Sequence, residues 1–346
     1  MTKIRFGING VLPGAFPEIR AVCKAVDGKG IDMLGIPDSP LLRKEVYVTT
    51  AYCAMNTSHV NLVSAVTNPV TRHPSVTASG LFALDQIAPG RISLGIATGD
   101  SALWGIGKKG IATVAHLREY ILAVNGLLRG EAVTYGGSSF TPQWRDWNEP
   151  VKVPVYVACS GPKVLKMAAQ VADGLIMAMG YGPENVQYIK SIIKEGCDEV
   201  GRNPDELDIW WQTTLGFSSS VEEGMRTNLG VNINWMTMGS MDGKLIPEEY
   251  REPLRKLTQN QHSFTTTYHD VDRGAVEVQQ AKDLGIYDWL MTRSARLWGT
   301  PDDISRRVVE LADIGVTQLL FHAGQAGTNK LDVTNKLANE VIPNFA

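Results

Sequence analysis

The sequence lacks the features that would tie a chain of 346 residues to nucleic acid, a membrane or an oxidising compartment. Lysine and arginine number 33 against 36 acidic residues, a formal charge of −3, so no basic surplus marks a surface for nucleic acid or anionic lipid. No apolar run approaches the roughly 20 residues that a bilayer-spanning helix needs. The four cysteines, Cys23, Cys53, Cys159 and Cys197, lie far apart, with no C-x-x-C pair and no histidine at metal-ligand spacing. That argues against a disulfide framework and against a metal site. Residues 1–8 carry no secretion signal, and with unpaired cysteines this predicts a cytoplasmic location. At 44% hydrophobic and 20% charged residues, the composition is that of a globular protein able to bury a large core.

What the sequence does have is one unit repeated. Short apolar runs at 4–8, 33–36, 60–66, 92–96, 155–158, 174–177, 207–215 and 318–321 read as buried strands, most of them followed by an amphipathic helical stretch. Four helix-to-strand joints share a grammar of a small residue, then Asp, Arg or Thr, then apolar residues: Gly30-Ile31-Asp32, Gly90-Arg91-Ile92, Ala172-Asp173-Gly174 and Gly315-Val316-Thr317. Eight such units with no hairpin between major strands predict parallel pairing and an α/β fold closed as a (β/α)8 barrel, a single domain over 1–346. An open doubly wound sheet would carry a glycine fingerprint after its first strand, and Gly7-Ile8-Asn9-Gly10-Val11 does not supply one. The G-x-G-x-x-G at Gly105-Ile106-Gly107-Lys108-Lys109-Gly110 follows Trp104 rather than a strand and reads as a loop over the site. Residues 222–298 break the alternation and read as a helical or irregular insertion covering the substrate site. Its Met-rich part, 225–241, reads either as core or as the lining of an apolar cavity.

Barrel enzymes gather their chemistry at the C-terminal ends of the strands. After the fourth strand, Thr98-Gly99-Asp100-Ser101 offers two hydroxyls, a glycine and main-chain N–H groups ahead of a helix, which suits either a phosphate or a helix cap. Asn68, His73, Trp104 and His322 are the other polar or aromatic residues near strand ends. His73 reads as a loop residue or a substrate contact, Trp104 as a ring cover or a plug of the mouth, and His322 as a site or structural residue.

Three stretches together resemble the bacterial luciferase-like superfamily, whose members are FMN-dependent monooxygenases and deazaflavin-dependent reductases on (β/α)8 barrels. They are Thr67-Asn68-Pro69 with Arg72 and Pro74, Gly90-Arg91 through Thr98-Gly99-Asp100, and Pro154-Val155-Tyr156-Val157 through Ser160-Gly161-Pro162 with Ala172-Asp173-Gly174. Gly299-Thr300-Pro301-Asp302 and Phe321-His322-Ala323 extend the resemblance to nearly the whole chain. It implies that Thr98, Gly99, Asp100 and Ser101, with Cys159, Ser160, Gly161 and Pro162, flank the cofactor's phosphate and ribityl chain. It further implies that Ala65, Val66, Thr67 and Asn68 lie behind the ring, with a cis peptide at Ala65-Val66. Asn68, Asp100 and His322 are the catalytic candidates, and Ser39, His73 and Trp104 the substrate candidates.

Two departures stand out. Many members carry Asp-His after the second strand, where this chain has Asp38-Ser39, and members forming a flavin N5-peroxide carry Asn where it has Gly95. The resemblance implies a two-component monooxygenase as the leading reading, in which reduced FMN from a separate flavin reductase reacts with dioxygen and a small organic substrate. A deazaflavin (coenzyme F420) hydride-transfer enzyme is the alternative, and a non-catalytic flavin-binding protein the third reading. The resemblance also implies a homodimer or higher oligomer.

Overall fold

The computed structural model describes residues 3–12, 14–108, 110–144, 149–259, 273–323 and 329–345, with the side chains of 225, 227–232, 234 and 273–275 outside the description. Lys109 of the glycine pattern and the Met225 side chain therefore lie outside the described residues.

The chain is a (β/α)8 barrel, as the repeat predicts. Eight strands close a parallel ring: β1 (Arg5–Asn9), β2 (Ile31–Ile36), β3 (Asn61–Ser64), β4 (Ile92–Ile96), β7 (Val155–Cys159), β8 (Gly174–Met177), β9 (Asp208–Phe217) and β11 (Gln318–His322). β1 pairs with both β2 and β11, and β8 with β9, so among these eight no edge is left open. The short antiparallel ribbon β5 (Val133–Tyr135) and β6 (Ser138–Phe140) stands outside the ring and turns at Gly136-Gly137, both at positive φ. The sequence reading misses one strand: β10 (Leu297–Gly299) pairs in parallel with the outer half of β9, beyond the part that pairs with β11. Among the described residues, the stretch between β9 and β10 is largely helical, with helices Val221–Thr237, Glu248–Thr258, Arg273–Asp283 and Tyr287–Arg293. No helix among the described residues is long and apolar enough to cross a membrane, and none of their His, Cys, Asp and Glu side chains form a metal-holding group.

Strand alternation divides the side chains. Ile8, Leu34, Leu62, Leu94, Val157, Leu175 and Phe321 face outward into the main core beneath the helices. Their neighbours Met33, Val63, Tyr156, Ile176, Trp210 and Leu320 face inward and form a second, smaller core that fills the barrel. Below this layer the strand N-termini carry a polar floor. Asp208 accepts from Arg5 at 2.8 Å, from the Tyr156 hydroxyl at 2.8 Å and from the Trp210 indole at 2.9 Å, while Arg5 also donates to Gln318 at 2.7 Å. Desolvation and the Asp208 charge hold the Tyr156 hydroxyl above its ordinary range.

Candidate active site

Two residues further along each strand lies the upper inner layer, and it is lopsided. β2, β3, β4, β7 and β8 contribute only small residues there: Gly35, Ala65 just past β3, Gly95, Ala158 and Ala178 just past β8. Across from them β1, β9 and β11 contribute Asn9, Gln212 and His322. Ala65, Ala158, Ala178, Gln212 and His322 are half-buried, unlike the sealed layer below, so the upper layer is partly exposed at the C-terminal mouth, with small residues on one side and polar groups on the other.

The small side is shaped by the chain itself. The Ala65-Val66 peptide is cis. Here β3 leaves its ladder with β4: Val63 pairs with Ser93 and Thr67 with Ile96, one residue more on the β3 side. The Ser64 hydroxyl fills the gap, accepting from Gly95 N at 3.0 Å and donating to Gly95 O at 2.8 Å, and the ladder resumes with Thr67 N to Gly95 O at 2.9 Å. A Cβ on residue 95 would stand 1.9 Å from the Ser64 carbonyl oxygen, which is why no side chain occupies that position here. Gly35 is similarly constrained, since a Cβ there would lie 2.4 Å from the Asn9 Cβ and 2.8 Å from the Ala65 Cβ.

The loops above this layer are cross-braced. Asp38, which is 3% exposed, accepts from the Thr67 hydroxyl at 2.5 Å and from Arg72 at 2.5 and 3.2 Å, and Arg72 reaches on to Glu45 at 3.0 Å. A buried carboxylate needs such partners, and these tie the β2 loop to the β3 loop. Ser39, standing where relatives of the resembled family carry histidine, shares a hydrogen bond of 2.8 Å with Ser101 and so links the β2 loop to the β4 loop. Asn68 is buried at 1% exposure. Its Oδ1 accepts from Val70 N and Thr71 N at 3.0 Å, while its Nδ2 is buried without a partner. That nitrogen is a buried donor open to an acceptor.

The phosphate candidates fall into two groups. Asp100 caps the Ser101 N–H of a five-residue helix, Ser101–Gly105, which includes half-buried Trp104. Gly99 has φ +91°, and a Cβ there would press on Leu103 and Asn68, at 2.9 and 3.2 Å. Across the mouth, helix Pro162–Val171 begins at Gly161 with no side-chain cap, leaving first-turn N–H groups to other acceptors. Ser160 touches Met238 through its hydroxyl at 3.9 Å, and Cys159 is buried, its thiol pushed up by desolvation. Gly161 also faces Lys244, whose ammonium donates to the Trp235 and Met238 carbonyls at 2.6 Å and is pushed down to about 8 by burial. The sequence reading does not single out Lys244. His73 sits apart: it is exposed, caps helix Pro74–Ile87 by accepting from Ser75 N at 3.3 Å, and packs on Tyr135 and Phe140 of the β5–β6 ribbon.

On the polar side, His322 Nδ1 lies 2.7 Å from Asn9 Oδ1, and Asn9 Nδ2 lies 3.5 Å from Gln212 Oε1. Desolvation, with the charges of Lys330 and Arg43, pushes the His322 imidazole down to about 4. Lys330 donates to the Ala323 carbonyl at 3.2 Å and is itself lowered to about 8 by burial and by Arg43. Sequence reasoning finds His322 but passes over Asn9 and Gln212. Their only signal is a polar residue at the inward phase of an otherwise apolar strand.

The family model described as luciferase-like monooxygenase matches residues 1–318. The chain is 28% identical to the 5,10-methylenetetrahydromethanopterin reductase of Methanolobus tindarius, over 97% of this chain and 99% of the relative. It is 25% identical to the F420-dependent glucose-6-phosphate dehydrogenase of Beutenbergia cavernae, over 84% of this chain and 80% of the relative. Among solved structures, the coenzyme F420-dependent tetrahydromethanopterin reductase of Methanopyrus kandleri superimposes with a TM-score of 0.71 at 24% identity, covering all of both chains.

Proposed function

The chain belongs to the luciferase-like monooxygenase family and is an oxidoreductase, and from that premise we propose that it is a deazaflavin-dependent enzyme exchanging hydride with a small organic substrate. The observation that carries this reading is the likeness, over 80% or more of both chains, to relatives that include an enzyme named for coenzyme F420. This favours the deazaflavin alternative over the FMN monooxygenase expectation, and with it a reaction that needs neither dioxygen nor a flavin reductase.

The residues fit such a cofactor. The small inner side formed by Gly35, Ala65, Gly95, Ala158 and Ala178 suits a planar ring, and the orphaned Asn68 Nδ2 supplies a buried donor beside it. In this reading the ring rests on Ala65, Val66, Thr67 and Asn68. The phosphate lies between Thr98, Gly99, Asp100 and Ser101 on one side and Ser160, Gly161 and the uncapped helix start on the other. When bound, a deazaflavin supplies a hydride donor or acceptor at ring carbon C5. The protein's own work is to hold the ring, to keep water from it, and to present a polar wall to the substrate. Ser39 bonded to Ser101 braces two loops instead of serving as an acid–base group, which leaves His322 as the ionisable group of the upper layer facing the small side. The helices between β9 and β10 roof the substrate space.

Fluorescence titration of the purified protein with the deazaflavin coenzyme and with FMN tests the reading. Binding of the deazaflavin at least tenfold tighter than FMN is expected. Preferential FMN binding, with oxygen consumption when the flavin is reduced, would contradict it.

A further inference from the structure

The polar wall contains a fixed chain of side chains. Asn9 ends β1 directly opposite His322 in the parallel register, and is only 3% exposed. Its main-chain carbonyl accepts from Ala323 N at 3.1 Å, and its carboxamide is held between His322 and Gln212. Gln212 is fixed in turn through its backbone, where the Tyr181 hydroxyl donates to its carbonyl. With the Asn9 carboxamide turned so that Nδ2 faces Gln212 Oε1 and Oδ1 faces the ring at 2.7 Å, the oxygen can only accept, and the proton of that contact belongs to His322 Nδ1. A neutral imidazole carries one ring proton. With that proton on Nδ1, Nε2 presents a lone pair.

We propose that Asn9 is a positioning residue that holds His322 in its Nδ1–H tautomer, so that Nε2 accepts a hydrogen bond from an O–H or N–H borne by the substrate carbon that exchanges hydride. The substrate-contact half of this proposal rests on the hydride-transfer reading above; the tautomer half stands on the geometry alone. The consequence for substrate class is specific. In its reduced form the substrate is an alcohol or a primary or secondary amine, because a group with only acceptors has nothing to offer Nε2. Arg43 and Lys330 are the charged groups that act on the ring, and both disfavour a proton on Nε2 in the resting protein. Asn9 and Gln212 are uncharged, so the tether imposes the tautomer without adding charge to the site.

The test is 15N NMR of the histidine side chains in the coenzyme-free protein at pH 7.5, a condition chosen so that the result does not depend on what the enzyme binds. The chain has six histidines, and the His322→Gln variant assigns the relevant signals by their loss. The expected result is a protonated, pyrrole-type Nδ1 and an unprotonated, pyridine-type Nε2 in the parent protein, with the preference lost in Asn9→Leu. A proton on Nε2 in the parent, or an unchanged preference in a folded Asn9→Leu, would overturn the proposal; should Asn9→Leu not fold, the parent spectrum decides alone. Steady-state kinetics with deazaflavin and a panel of alcohols and amines supply the second readout. Asn9→Leu is expected to lower kcat about tenfold to hundredfold with KM within threefold, and to add little to the loss in His322→Gln. Additive losses would show Asn9 acting independently of His322 and would overturn the positioning role. An Nδ1–H ring in a protein that turns over no alcohol or amine would overturn the substrate contact while leaving the tether in place.

Discussion

The two ends of the barrel interior treat polar groups in opposite ways. At the floor, Asp208 is matched to three donors from three elements, Arg5 is shared between Asp208 and Gln318, and the guanidinium also lies 4.8 Å from the centre of the Trp210 ring. At the mouth, the buried Asn68 amide nitrogen has no partner, the His322 imidazole is pushed down to about 4 and the Lys244 and Lys330 ammoniums to about 8, and five of the eight positions of the upper inner layer are glycine or alanine. A satisfied network stabilises and specifies. A buried donor without a partner, beside buried groups with lowered pKa values, is the pattern of a ligand-binding end, so the contrast sets the floor, which holds the barrel together, against the mouth, where we propose the coenzyme binds.

That contrast can be broken in measurable ways. The largest effect is expected from Gly95→Ala, which drives a Cβ into the Ser64 carbonyl oxygen with only 1.9 Å between them. The backbone must move, at a cost of about 3 kcal/mol or more in denaturant-measured stability, and coenzyme binding should fall with it. A loss under about 1 kcal/mol would mean the β3–β4 irregularity is not fixed as described. Next is Asp208→Ala, which removes the acceptor shared by Arg5, the Tyr156 hydroxyl and the Trp210 indole, leaves Arg5 to Gln318, and should cost about 2–4 kcal/mol by urea unfolding. Coenzyme affinity should stay within threefold; a large loss would show that floor and mouth are coupled.

A smaller effect is set by pH. The folded His322 imidazole has a pKa of about 4 against an ordinary value of 6.5, so between those values the unfolded chain binds more protons than the folded one. Its contribution to stability is therefore complete above about pH 6.5 and is lost as pH falls toward 4. Melting temperatures across this window should drop less steeply in His322→Gln than in the parent, and parallel slopes would place the ring in ordinary solvent.

The architecture was legible because it is local. Each joint such as Gly30-Ile31-Asp32 or Ala172-Asp173-Gly174 announces the end of a helix and the start of a strand within a few residues, and eight such units leave little choice but closure. The cis bond at Ala65-Val66 came from family resemblance, since nothing in Ser64-Ala65-Val66-Thr67 signals it. The polar wall was only one-third legible. His322 stands out by residue type, but its partner Asn9 is 313 positions away, and only the closed ring brings the two together. β10 was missed because three residues, Leu297-Trp298-Gly299, give too short a pattern to separate strand from loop. The helices between β9 and β10 blurred because several are short or weakly amphipathic, as in Val221–Thr237 with its Gly224 packed against Trp298.

If the small side of the upper layer is a seat for a planar coenzyme rather than loose packing, filling it should displace the coenzyme without harming the fold. Ala158→Leu adds three carbons to a half-buried position on that side, with the sealed core below left intact. The measurement is the dissociation constant of the deazaflavin coenzyme for this variant, taken together with its melting temperature. Affinity should weaken about thirtyfold or more with melting temperature unchanged or raised, and coenzyme binding at parental affinity would show that the ring does not rest on this side.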